Sequence, residues 1–295
     1  MQKGNEILQN SQSTPTKDAK ETPTYDKGYW TGLKLILLKN YIKPYLEILV
    51  GGQRKKVAYV DLFAGPGLNK IGESRFPIPG SPLIPLVIRE TNFQFSSFIF
   101  SETNQEYYNA LKNRIAKINP PIRPQIFLED ANAMVERLPN LLRGIDHSLV
   151  FLDPEGMEMH WNSVATLCAT IDCDLIINFP SSGITRNLDN AQASSTIARF
   201  LGLGERPVLP HANEEWAIKV YRENLMRVGK NISTEIKVRS GEGAFHYHLI
   251  PAVKTTAGGS PWFNLFRDAK TRIEGMSGRI LGFISEQIEG MQSTL

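Results

Sequence analysis

The chain has 295 residues, 41% of them apolar and 21% charged, the balance of a protein that folds in water around a full core. That length holds one large α/β domain with additions or two small domains, and a net charge of +3 by itself points to no class of partner. No apolar run reaches the ~18 residues that would mark a membrane span. The polar residues 1–24 lack the basic-then-apolar order of a signal peptide. Two cysteines, Cys168 and Cys173, are too few for a disulfide scaffold and lack zinc-site spacing, so a reducing cytoplasm is the expected setting.

Residues 1–24, rich in Ser, Thr, Gln, Asn and Lys, are expected to form a disordered tail. Leu33, Leu37, Tyr41 and Tyr45 then recur every four residues, predicting a helix over 29–49 that ends at Gly51-Gly52. Strands and helices alternate after it. Strand one (57–62) leads through a long loop to Pro79 and a helix over 81–89; strand two (97–101) precedes a helix over 104–118. Strand three (125–128) precedes a helix over 132–142, strand four (148–152) a helix over 161–170, and strand five spans 174–178. Repeated β-then-α units imply a parallel sheet with right-handed crossovers and helices on both faces. A mostly helical stretch, 187–229, breaks the rhythm before strand-like segments at 234–238 and 245–253, joined through Gly241-Glu242-Gly243. These patterns divide the chain into a tail (1–24), an α/β domain (25–256, helical insertion about 187–230) and a helical extension (257–295).

The most informative stretch is Tyr59-Val60-Asp61-Leu62-Phe63-Ala64-Gly65-Pro66-Gly67. A short buried strand ends in a carboxylate, and a glycine-rich turn follows that lets backbone approach a ligand closely. It is neither G-x-G-x-x-G nor a P-loop, which disfavours a nicotinamide-dependent oxidoreductase. It resembles motif I of S-adenosylmethionine (SAM)-dependent methyltransferases, whose terminal antiparallel hairpin the last two strand-like segments would supply. The resemblance implies a Rossmann-like SAM-methyltransferase fold with the cofactor across the strand tips. The expected cofactor residues are Asp61, Phe63, Gly65 and Gly67 after strand one, Glu102 after strand two, and Asp130 with Ala131 after strand three. A carboxylate at Glu102 can accept from both ribose hydroxyls, and one at Asp130 from the adenine amine. Singly, Asp61, Glu102 and Asp130 read equally well as helix caps, and Asp153-Pro154 as a turn. Polar tips on five consecutive strands, in order, favour the cofactor.

The wording of these segments is similar to that of the three-Cys-motif partner proteins (TcmP) over about residues 30–255. Its carriers are the helix from Lys34 to Leu49, the Tyr59–Gly67 string, Gly80-Ser81-Pro82-Leu83-Ile84, Phe151-Leu152-Asp153-Pro154-Glu155-Gly156, Leu175-Ile176-Ile177-Asn178-Phe179-Pro180, Thr185-Arg186-Asn187-Leu188 and Tyr247-His248-Leu249-Ile250. The resemblance implies a three-Cys-motif protein as partner, which carries the cysteines, and a nucleic-acid setting (DNA or RNA). One departure stands out: similar proteins carry an aromatic residue after Asp-Pro, and this chain has Glu155.

Cytosine-C5 methylation needs a cysteine nucleophile, usually placed after a proline, and neither Cys168 nor Cys173 follows one. Methylation of an amino nitrogen fits better, because Asp153-Pro154 keeps the first half of a [DN]-P-P-[YFW] segment, while Glu155-Gly156 replaces the rest. Asp153, Pro154 and Glu155 are therefore the candidate catalytic residues, with Glu155 also a candidate general base. Asn178, Phe179 and Arg186 are the candidate substrate residues, and Phe179, Trp161 or Phe63 could stack on a flipped base. His246 and His248 share a strand face but lack companions with ligand spacing, so no metal site is expected. Between Trp216 and Arg279 eleven Lys/Arg face five Asp/Glu, an excess compatible with nucleic-acid phosphates or with a solvated basic surface. The competing reading is a non-catalytic SAM-fold subunit that binds a partner.

Overall fold

The computed structural model describes residues 23–27, 29–71, 77–88, 91–204, 212–239 and 246–254, with 264, 267, 268 and 271 beyond them. The expected tail through residue 22, the Gly241-Glu242-Gly243 connection and most of the 257–295 extension lie outside the described residues.

Strand β1 (Tyr25–Lys27) precedes helix α1 (Tyr29–Leu46), which continues through a π-helical turn over Glu47–Gly52. The four-residue periodicity marks only part of the buried surface of α1. Leu33 and Leu37 pack with Ile236, Val238 and Leu249, while Leu35, Leu38, Tyr41 and Tyr45 belong to the larger core beneath the sheet. Strand β2 (Val57–Asp61) is buried throughout and alternates between two cores: Ala58 and Val60 face one, Val57 and Tyr59 the other. The loop after it holds β3 (Leu68–Ile71) and β4 (Ile78–Pro79), which form a small separate sheet with β1. The helix expected over 81–89 shrinks to α2 (Ile84–Val87): Pro82 and Pro85 fit only a first turn, and Ile88 is already extended.

The α/β repeats then follow: β5 (Ser97–Glu102), α3 (Gln105–Ile118), β6 (Gln125–Leu128), α4 (Ala131–Leu141), β7 (His147–Leu152), α5 (Trp161–Thr170) and β8 (Cys173–Phe179). After β8 the chain turns directly into helix α6 (Ser181–Asn187). Its polar side chains bond back along the helix, Thr185 Oγ1 to the Ser181 carbonyl at 2.9 Å and Asn187 Nδ2 to that of Gly183 at 2.8 Å. Helices α7 (Ser194–Leu201) and α8 (Glu214–Arg227) precede β9 (Ile232–Ser233), β10 (Ile236–Arg239) and β11 (His246–Val253).

The main sheet runs β10-β11-β8-β7-β2-β5-β6, with β9 on the end of β11. Strands β6, β5, β2, β7 and β8 are parallel, and β11 lies antiparallel between β8 and β10. The chain leaves β2 toward β5 and β6, then returns to β7 on the other side. This is the Rossmann-like methyltransferase fold, and its topological switch point lies between the tips of β2 and β7. No helix among the described residues is long and apolar enough to cross a membrane.

Candidate functional site

A cavity of about 520 Å³ opens at that switch point, within the usual range for a small-molecule site. Its wall starts at the glycine loop after β2, where Leu62, Phe63, Ala64 and Gly67 line it. Gly65 and Gly67 have φ of 60° and 88°, in the left-handed region that glycine adopts without strain. Glu102, at the tip of β5, braces this loop: Gly65 N donates to Oε2 and Asn104 N to Oε1, each at 2.8 Å. Arg114 of α3 holds the loop from the far side, Nη1 donating to the Pro66 carbonyl at 2.6 Å. Glu102 lines the cavity but is only 8% exposed, so it is both a brace and a ligand candidate.

Asp61 lies just beneath the cavity lining, 0% exposed. Phe63 N donates to its Oδ1 at 3.1 Å, and Oδ2 has no hydrogen-bond partner among the described residues. Burial pushes its carboxyl up to about 7, against the opposing hydrogen bonds from Ser81 and Phe63 N. Asp130 caps α4, its Oδ1 accepting from Asn132 N at 2.8 Å and Ala133 N at 3.3 Å, and it lines the cavity together with Ala131. Capping and cavity lining therefore coincide in one residue.

The far wall carries Asp153, Pro154, Glu155, Glu158 and Asn178. Asn178 Nδ2 donates to Asp153 Oδ1 at 2.8 Å and to the Pro154 carbonyl at 3.3 Å, while Asn178 Oδ1 is buried without a partner among the described residues. Lys34 of α1 reaches across, its Nζ 2.6 Å from Asp153 Oδ1 and 2.5 Å from Oδ2. The pair is largely enclosed, with side chains 9% and 18% exposed, and the Lys34 ammonium sits 5.7 Å from the Tyr247 ring centroid. Thr31, one turn earlier on the same helix face, also lines the cavity. Sequence reading gave neither Lys34, Thr31 nor Tyr247 a role. The signal in the sequence was a lone cation inside the apolar run Leu33-Lys34-Leu35-Ile36.

Two expected substrate residues lie elsewhere. Phe179 is 0% exposed, its ring 5.4 Å from Phe200 and 5.3 Å from Tyr221. Strand alternation sends it into the core on the face opposite Asn178. Trp161 packs on Tyr221 in the same cluster, which leaves Phe63 as the one of the three stacking candidates that lines the cavity. Arg186 is exposed on α6, its Nε donating to the Ser182 carbonyl at 3.1 Å, and does not line the cavity.

His246 pairs with Glu214, and the His248 ring bonds Ser181 Oγ at 2.5 Å. Among the described residues no group of three or more His, Cys, Asp or Glu is placed to hold a metal ion. Among the described residues, several cations of the basic C-terminal third are committed internally. Arg222 bonds Glu235 at 2.6 Å, Lys237 bonds Glu214 at 2.7 Å, and Lys254 bonds Asp172 at 2.7 Å. Lys230 is fully buried, its Nζ donating to the Cys173 carbonyl. The count of basic residues therefore overstates the free positive surface. Both cysteines are buried, and Cys173 begins β8, at the end of the strand away from the cavity.

Charge decides what the cavity accepts. Among the described residues that line it, Glu102, Asp130, Asp153, Glu155 and Glu158 face a single cation, Lys34. Such a site favours a ligand with net positive charge and disfavours phosphates.

The fold is similar to that of protein LPL1258 from Legionella pneumophila str. Philadelphia 1 (family model DUF519), at 13% identity over 83% of this chain and 92% of that one, TM-score 0.51. Weaker likenesses include Trm1 from Pyrococcus horikoshii with S-adenosyl-L-methionine (11% identity, 75% of this chain and 56% of that one, TM-score 0.42). Magnesium protoporphyrin IX methyltransferase (ChlM) from Synechocystis PCC 6803 with bound SAM is another (11% identity, 75% and 81%, TM-score 0.39). No family model and no curated protein matches the chain. At these identities the likeness is one of fold.

Proposed function

We propose that the protein is a SAM-dependent methyltransferase acting on an amino nitrogen, with a nucleic-acid base as substrate and a three-Cys-motif protein as partner. The observation that carries the cofactor is the acidic cavity at the switch point, five carboxylates against one lysine. SAM, with its sulfonium, ammonium and carboxylate, is a net cation and suits that field. A nicotinamide dinucleotide would bring two phosphates into it. The orphaned Asp61 Oδ2 and the glycine backbone at Gly67 fit the same ligand. Glu102 would hold the ribose and Asp130 the adenine amine. When bound, SAM supplies a methyl group activated by the sulfonium charge.

Asp153 and the Pro154 carbonyl would accept the two N–H bonds of the substrate amine and turn its lone pair toward that methyl. Asn178 Nδ2 bonds both acceptors, which supports the reading that they can serve one NH₂ group. The nucleic-acid target and the partner rest on this amine chemistry and on the TcmP resemblance, because the basic residues of α8 and β10 are largely paired within the protein. A second reading, a non-catalytic SAM-binding subunit, draws on one observation: both oxygens of Asp153 are held by Lys34. Incubation with methyl-tritiated SAM and separated DNA, transfer RNA, ribosomal RNA and protein pools, with and without the three-Cys-motif partner, tests the proposal. Label is expected in a nucleic-acid pool. Label in protein alone would overturn the substrate, and label in no pool would leave the binding-subunit reading in its place.

A further inference from the structure

The grip of Lys34 on Asp153 suggests a mechanism rather than a dead site. We propose that Lys34 is a relay: on SAM binding its ammonium leaves Asp153 for the cofactor's carboxylate, and Asp153 becomes free to receive the substrate amine. The inference rests on the SAM reading and adds an order of events, cofactor before substrate.

Three features of the site carry it. Lys34 is the only cation among the described residues lining the cavity, so a ligand carboxylate placed among Glu102, Asp130, Asp153, Glu155 and Glu158 has one counter-charge within the lining. That cation is on a flexible four-carbon stem rooted in α1, with Thr31 one turn away on the same cavity face to offer a hydroxyl. Asp153 also does not depend on Lys34 alone, because Asn178 Nδ2 donates to Oδ1 at 2.8 Å, and this bond can persist when the lysine moves. The Tyr247 ring beside the ammonium lowers the cost of holding it in an enclosed place. A cofactor can shift Lys34 only by as much as it prefers the freed lysine, so breaking the Lys34–Asp153 pair must show as a penalty on binding.

That penalty gives the test an unusual sign. Calorimetry with S-adenosylhomocysteine, which keeps the carboxylate, and with 5′-methylthioadenosine, which lacks the amino-acid portion, is carried out on the full chain. Lys34→Met should weaken S-adenosylhomocysteine by about 10–100-fold, the range of hydrogen bonds to a charged group, and leave 5′-methylthioadenosine unchanged. Asp153→Asn should tighten S-adenosylhomocysteine several-fold by releasing the lysine, and this gain should vanish in the Lys34→Met/Asp153→Asn double variant. A lysine that merely stays on Asp153 predicts no gain in Asp153→Asn, and that result overturns the relay. Unchanged S-adenosylhomocysteine affinity in Lys34→Met overturns it too. If Lys34→Met does not fold, the isosteric Asp153→Asn comparison decides alone. Wild-type protein that binds neither compound refutes the SAM reading itself, and the relay with it.

Discussion

Asp153→Ala is expected to lower methyl transfer by about 10²–10³-fold, the scale on which one preorganised polar contact to the reacting group acts. It should also destabilise the fold, which a residue serving only the chemistry would not do. Lys34, 9% exposed, would be left as a buried charge without its partner. Breaking a buried ion pair from one side costs ~3–5 kcal/mol, and the partial exposure of Asp153 puts the expectation near the lower end. Lys34→Met alone should cost a comparable amount. Lys34→Met/Asp153→Ala, which removes both charges, should lose much less than the sum of the two single variants. Urea unfolding of the four proteins measures this. Additive losses in the double variant would show that the two side chains do not act as a pair.

The second large effect runs the other way, with Asp61→Asn expected to stabilise the protein at alkaline pH. Burial raises the folded carboxyl from 3.8 to about 7, so the fold prefers the protonated form more strongly than the unfolded chain does. This contribution to stability is complete below about pH 4 and is lost as pH rises toward 7. By linkage, a rise of that size is worth about 4 kcal/mol as an upper figure. An asparagine amide still lacks one partner, so a gain of about 2 kcal/mol over wild type at pH 8, falling to nothing near pH 4, is the realistic expectation. Two other buried groups also shape the wild-type curve. Asp174, raised to about 6 by burial, loses stability in the same direction, and His147, lowered to about 4 by burial, loses it as pH falls. Both remain in the variant, so the difference between the two unfolding curves isolates Asp61. Parallel curves from pH 4 to 8 would contradict a buried carboxyl with too few hydrogen bonds to offset its burial at this position. The trade is a familiar one: a group poor for stability is kept where a cationic ligand is expected.

The strand tips were legible because a buried parallel strand is a short apolar run and the first charge after it marks its end. Asp61, Glu102 and Asp153 carry that signal, whereas Asp130 follows the partly exposed strand β6 one residue after Glu129; the structure gathers all four around one cavity or just beneath it. What escapes a sequence reading depends on chain-distant contacts or on parity. Lys34 meets Asp153 across a separation of 119 residues, which no local pattern encodes. Asn178 and Phe179 are neighbours in sequence, but strand alternation sends one to the cavity and the other to the core, so a strict period of two separates them. Strands β3 and β4 hide in a glycine- and proline-rich loop because they are short and take their partners from one another and from β1. The excess of basic residues after Trp216 is hard to read for a different reason. Composition counts charges, whereas Arg222, Lys237 and Lys254 spend theirs on Glu235, Glu214 and Asp172, and Lys230 is enclosed.

The ligand that fills the cavity at the β2–β7 switch point decides between a methyltransferase and every other use of this fold. Calorimetric titration of the wild-type chain with SAM and, separately, with NAD is the most direct measurement, repeated on Glu102→Ala. One SAM per chain, no heat from NAD, and about 10–100-fold weaker SAM binding in Glu102→Ala are the predicted results, since that variant loses both a charged ligand and the brace on Gly65. Binding of NAD in preference to SAM, or SAM affinity untouched in a folded Glu102→Ala protein, would contradict it.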